Sequence, residues 1–266
     1  MRAFAVGVAL ALSVAGAGQS VHGFEASTEY RLLELDGHRV KWGTPTAGTG
    51  ATVRYAFVDK PVRFEGAINC GEMVPFGRML AGSEIAPSLF SAEVAAAFAL
   101  WQASADISFR ETADTAATEI LIGAQAKPRG WAYANVSYLP ADGAGTRSIV
   151  KALICLNPDR PWKVGFGGNV TAYDLRYTIA HEIGHAIGLD HPGASGQMMS
   201  FVYDERFRGL QQGDVGGAVA LYGKPRLQVT EGLRARPVSQ TRTAGALPAA
   251  PRSVPGSLPA ADAVAR

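Results

Sequence analysis

Residues 181–191 read HEIGHAIGLDH, so three of the chain's five histidines and one glutamate fall within eleven positions. On a helix His181 and His185, four residues apart, share a face. That face lies about 200° from Ile183 by the 3.6-residue period, opposite an apolar stripe. Two imidazoles one turn apart on a face away from the core can converge on one metal ion. Gly188 follows three residues after His185. A helix commonly ends at a glycine, which enters the left-handed region without a Cβ penalty. The turn that results, with Pro192 just beyond, lets His191 swing back toward the first two rings, whereas a continued helix would carry it to the far side. Three neutral imidazoles and a water complete a tetrahedral zinc site with an open position. Glu182 is badly placed to join that ligand set but well placed to act as general base on the water, and then as the acid that protonates a leaving nitrogen. Zinc brings such a water's pKa to about 7. The chemistry is metal-assisted hydrolysis. Five fixed positions in HExxHxxGxxH arise by chance in about 10⁻⁵ of chains this long, which argues against scattered surface histidines.

Other segments must position these groups. The spacing predicts a helix over 169–189, with Thr171 and Asp174 as a capping box and Leu175, Ile179, Ile183 and Ile187 as the core stripe. Upstream, HRVKWG and ATVRYAFVD read as strands, and 60–87, rich in Gly and Pro, as a long loop. Val94, Phe98 and Trp101 mark one face of a second helix, with Ser91 as its N-cap. ISF and TEILIGA read as two strands, and 129–139 and 148–156 as another pair joined by the turn PADGAGTR. Strands around helices indicate an α+β domain.

The remaining composition bounds the rest. With net charge +2, 47% apolar and 18% charged residues, a basic nucleic-acid surface is not indicated. Residues 1–23 have the layout of a signal peptide, with one Arg, an apolar run too short to span a bilayer, and small residues after it, cut after Ala17 or Gly23. Export to the periplasm or the medium would place Cys70 and Cys155 in an oxidising compartment, with one intramolecular pairing open to them and free thiols as the alternative. Residues 224–266, rich in Pro, Ala and Arg without an aromatic residue, read as a disordered tail, leaving 24–223 as the folded domain.

HExxHxxGxxH followed by a methionine turn is the metzincin signature. Met199 lies eight residues beyond His191, with Met198 as the competing assignment. The spacing is similar to that of the matrixin branch, the matrix metalloproteases. AFALWQASADISF (97–109) resembles that family's first long helix and next strand, GDVGGAVALYG (213–223) its last helix, and KWG and VRYAF its opening strand. The resemblance implies a metzincin-like α+β domain: a twisted, mostly parallel but mixed sheet, an active-site helix and a C-terminal helix. It implies a zinc endopeptidase acting on protein or peptide substrates, including extracellular matrix. Tyr203 would wall the S1′ pocket, and GWAYA (130–134) would be the edge strand that pairs with substrate, with Ala132 and Ala134 making the contacts. Met199 would form an apolar floor under the metal.

Departures from that pattern carry expectations of their own. Tyr133 and Cys155 stand where two ligands of a second, structural zinc would align, so one catalytic zinc is expected, with a disulfide through Cys155 taking over the stapling. A Cys70 thiolate latch on the metal is the rival use of that residue. Phe201 replaces the metal-proximal tyrosine of serralysins and astacins. DGAG (142–145) and NPD (157–159) offer hard oxygens of the kind calcium takes, and read first as plain turns. A monomer without membrane attachment is expected once the leader is removed. Two other functions fit part of the pattern: an amidase acting on cell-wall peptides, and a secreted module that keeps zinc without catalysis.

Overall fold

The computed structural model describes residues 28–140, 145–194 and 196–226. The expected leader, the calcium candidate's Asp142–Ala144 and nearly all of the expected tail lie outside these residues. Contacts divide the chain into units 1–227 and 228–266, and the described residues belong to the first.

In chain order the strands are β1 (Arg31–Leu32), β2 (Glu34–Leu35), β3 (His38–Lys41), β4 (Ala51–Phe57), β5 (Val62–Arg63) and β6 (Glu72–Val74). Helices α1 (Gly77–Gly82) and α2 (Pro87–Ser104) precede β7 (Ile107–Glu111), β8 (Ile120–Gln125), β9 (Ala132–Tyr138) and β10 (Arg147–Leu156). Then come β11 (Trp162–Lys163), β12 (Tyr173–Asp174), α3 (Leu175–Ala186), β13 (Leu189–Asp190) and α4 (Gln212–Tyr222).

Strands β7, β4, β8 and β10 lie side by side and parallel. Antiparallel β9 pairs with β10, setting Tyr133 opposite Cys155 and Ala134 opposite Ile154. The sheet is therefore mixed, as the α+β expectation requires. Strand β8, ILIGAQ, is buried along its whole length, the pattern of a strand covered on both faces.

One face of the sheet carries the main core, where α2 and α3 pack with Trp101, Phe98, Ile179 and Ile183. The indole N–H of Trp101 donates to the Ala180 carbonyl at 2.9 Å, joining the two helices. The other face carries a smaller cluster of Val58, Met73, Leu121 and Leu153 around Cys70 and Cys155, which form a disulfide. Cys70 is thus no free thiolate. The 60–87 stretch, expected as loop, contains the β5–β6 hairpin, helix α1 and the first residue of α2. The hairpin extends the sheet by pairing β6 with β8.

Two helix starts differ from expectation. Helix α2 begins at Pro87, four residues before Ser91, with Ala86 as its N-cap. Proline at the first helical position has no N–H to leave orphaned and a φ already set for the helix, so a polar cap is less needed. Helix α3 begins after Asp174, whose Oδ1 accepts the Tyr177 N–H at 2.8 Å. Thr171 is instead held in a local turn, its N–H and hydroxyl both donating to Asn169 Oδ1. Strand β12 runs into the helix directly, which leaves no room for a cap three residues earlier. No helix among the described residues is long and apolar enough to cross a membrane.

Candidate metal centre and cleft

The stripe Leu175, Ile179, Ile183 and Ile187 is fully buried. His181 and His185 project from the other side of α3 into a cleft of about 580 Å³. The helix stops at Ile187, and Gly188 follows with φ +102°. A Cβ there would stand 2.2 Å from the Val40 carbonyl oxygen, so only glycine fits this passage against β3.

Each carbonyl released at the end of α3 finds a distant donor. The Trp42 indole donates to Ala186 O at 2.8 Å, the Tyr222 hydroxyl to Ile187 O at 2.7 Å, and the Leu33 N–H to Gly188 O at 2.8 Å. These bonds satisfy groups that a helix end leaves open, and they fix the direction of the turn. Arg31 of β1, paired with β13, forms an ion pair with Asp190, whose other oxygen accepts the His191 N–H.

The turn brings His191 Nε2 to 3.0 Å from His181 Nε2 and 3.1 Å from His185 Nε2. Among the described residues these three form the one cluster of His, Cys, Asp or Glu that could hold a metal ion. Nδ1 of His181 lies 2.7 Å from the Met198 carbonyl and Nδ1 of His185 lies 2.8 Å from the Leu189 carbonyl. A carbonyl accepts only, so both Nδ1 atoms carry the proton and both Nε2 atoms present bare lone pairs. One proton on His191 Nε2 cannot serve both of them. The convergence of lone pairs lacks a hydrogen-bonded solution and is matched by a cation, with the two carbonyls orienting the rings from behind. Burial lowers all three imidazoles, His185 to about 4, and the neighbouring rings lower His181 further, so all are neutral at physiological pH, the form that ligates.

Glu182 lines the same cleft and is 6% exposed. Burial alone pushes its carboxyl up to about 8. A bound divalent cation would pull in the opposite direction.

Of the two methionines, Met199 is the one whose side chain lies beneath the helix. A Cβ on Gly184, between the two helix histidines, would meet the Met199 sulfur at 2.2 Å, so the thioether lies tight beneath that turn of α3. Met198 contributes its carbonyl to His181 instead. Sequence reasoning missed what holds this turn: Asp214, at the third position of α4, accepts the N–H groups of Met198, Met199 and Gln211. The signal was a Gln-x-x-Asp capping box at 211–214, where Asp is the reciprocal partner.

Ala132, Ala134 and Tyr203 all line the cleft. Among the described residues β9 pairs only with β10, so its cleft-facing edge retains unpaired backbone groups. Tyr203 stacks on Tyr173 at 4.0 Å, and Tyr173 on Trp131 at 3.7 Å, giving the cleft an aromatic end wall. The Tyr203 hydroxyl accepts the Asp174 N–H and donates to Glu205, tying the pocket wall to the start of α3. Tyr173 and Trp131 were not anticipated, because their stacking joins segments distant in the chain. Phe201 is 62% exposed, its ring 6.1 Å from that of His191. The NPD segment is a plain turn in which Asn157 Oδ1 accepts the Asp159 N–H and Asp159 pairs with Arg78.

A stretch of 73 residues is 38% identical to stromelysin-3 of Rattus norvegicus, covering 27% of this chain and 14% of that relative, far short of two thirds of its length. Residues 80–223, from α1 through α3 to the glycine closing α4, match the matrixin (peptidase M10) family description. That is more than half of the 266 residues, and it holds the whole histidine constellation, so the chain belongs to the matrixin family of zinc metallopeptidases.

Proposed function

We propose that this chain is an exported zinc-dependent endopeptidase that cuts polypeptides bound in extended form along β9. The observation that carries the reading is the convergence of three neutral imidazole Nε2 atoms beside Glu182 in a cleft bounded by a free strand edge. His181, His185 and His191 would hold the zinc. When bound, the ion supplies Lewis-acid polarisation of the scissile carbonyl and a water of lowered pKa.

The protein's own groups do the rest. The edge of β9 accepts the substrate backbone as an added strand, which aligns the scissile bond beside the histidines. Glu182 takes a proton at its carboxylate and returns it to the leaving amine. Its burial favours holding that proton between the two transfers. The pocket ending in Tyr203 receives the side chain that follows the cut. Met199 supports the helix turn between the two ligands, and Asp214 supports Met199.

An open cleft along a strand edge favours a polypeptide substrate over a sealed structural zinc site. Casein hydrolysis by the purified protein should depend on zinc, stop with EDTA and return on adding zinc. Glu182→Ala should keep one zinc per chain and lose activity by about 10³-fold or more, the scale of a lost general base with its positioning. Hydrolysis that survives either treatment sinks the reading. Turnover of purified peptidoglycan with inert casein would favour the cell-wall amidase instead.

A further inference from the structure

The loop 64–71 at the tip of the β5–β6 hairpin lies outside the matched family region, yet it reaches the cleft. It crosses the far face of the sheet and is fixed there three ways. Cys70 is bonded to Cys155 of β10, the N–H groups of Asn69 and Cys70 both donate to Asn135 Oδ1 of β9, and the Phe64 N–H closes the loop on the Gly71 carbonyl. Beside these anchors Ile68 stands 85% exposed on the cleft rim. An exposed isoleucine on a loop with this many anchors is a preorganised contact, because little freedom remains to be lost on binding.

The position along β9 says which part of a substrate it meets. Trp131 and Tyr173 mark the downstream pocket. Asn135, which holds the loop, is four residues further along, about 13 Å at the rise of an extended strand. A peptide added antiparallel to β9 with its first downstream residue at Trp131 therefore brings its fourth upstream residue opposite Asn135. Directly opposed residues of an antiparallel pair put their side chains on one face, so the fourth upstream side chain shares the face of Asn135, whose Oδ1 accepts from the loop.

We infer that the stapled loop 64–71 is a specificity element, with Ile68 and Asn69 walling a subsite for an apolar side chain about four residues upstream of the cut. The inference rests on the endopeptidase reading. Its chemical content is an apolar contact to Ile68 with Asn69 at its side, so Leu or Val is favoured there over Gly, and Asp is disfavoured.

The test uses quenched fluorescent peptides with one shared downstream half and Leu, Gly or Asp at the fourth upstream position. Wild-type protein should favour Leu over Gly by about five- to tenfold in kcat/KM, the scale of partly burying one aliphatic side chain, with the difference in KM. Ile68→Ser, at an exposed position with little bearing on folding, should reduce that preference to about twofold or less. In parallel, anisotropy measures binding of the same uncut peptides to Glu182→Gln and to Glu182→Gln with Ile68→Ser. A Leu preference that depends on Ile68 in either measurement supports the wall. Equal preference with and without Ile68, or none in the parent protein, overturns it. Failure to cut any peptide overturns the protease reading, and the binding measurement still decides the wall.

Discussion

Gly188→Ala is the sharpest perturbation of the bend that assembles the histidines. At φ +102° an alanine carries backbone strain of about 1–3 kcal/mol. Its Cβ would lie 2.2 Å from Val40 O and 3.1 Å from Leu221 Cδ1. A carbon–oxygen contact relaxes to about 3.3 Å, so roughly 1 Å of movement is needed against β3, which is paired in the sheet. Such overpacking adds about 1–3 kcal/mol, for a destabilisation near 4 kcal/mol in all. At about 2–4 °C per kcal/mol for a domain of this size, Tm should fall by roughly 10 °C. The same movement disturbs the Leu33–Gly188 and His185–Leu189 contacts that orient the ligands, so zinc affinity should fall by about 100-fold. Calorimetry and zinc retention against a competing chelator measure both. Gly193→Ala is the control, since its Cβ meets nothing within 4 Å. If Gly188→Ala holds zinc as tightly as the parent, with Tm within about 2 °C, the account of the bend is wrong.

Three further outcomes are expected. Asp214→Ala leaves the Met198, Met199 and Gln211 N–H groups without their acceptor and should cost about 3 kcal/mol or more, with a larger loss of zinc affinity than an Asp214→Asn change; urea titration and zinc competition read the two. Replacing Cys70 and Cys155 together by Ser opens a cross-link spanning 85 residues, which by chain entropy is worth about 4–5 kcal/mol, so Tm should drop by roughly 10 °C without loss of the zinc site. Lys41 is fully buried, its ammonium held by the carbonyls of Trp42 and Thr44, and burial lowers its pKa from 10.5 to about 8. The unfolded chain then binds the extra proton between those values, so Lys41 makes stability rise as pH climbs from about 8 to 10.5 and contributes no slope below. Lys41→Met should flatten that part of the urea-midpoint profile, and an unchanged slope would assign it to another group.

The sequence alone determined the elements whose logic is local. A four-residue repeat of aliphatic side chains placed α3 and its buried stripe, and four-residue spacing put His181 and His185 on one face. Gly188 marked the stop, because a positive φ is a property of one residue and its immediate path. Two cysteines admitted a single pairing. Tertiary structure decided whatever depends on partners far apart in the chain. Asp174 rather than Thr171 caps α3 because its second oxygen takes the Gly165 N–H and Tyr203 reaches its backbone. The protons of His181 and His185 are fixed by carbonyls from the segment that follows the helix, Met199 is held by α4, and the end of α3 is closed by Trp42 and Tyr222, over 140 and 30 residues away. The hairpin crossing the far face left almost no periodicity to read, since strands of two and three residues are too short to show one. Periodic burial is written into neighbouring residues; hydrogen-bond partners and the walls of a cleft are set only when the chain closes on itself.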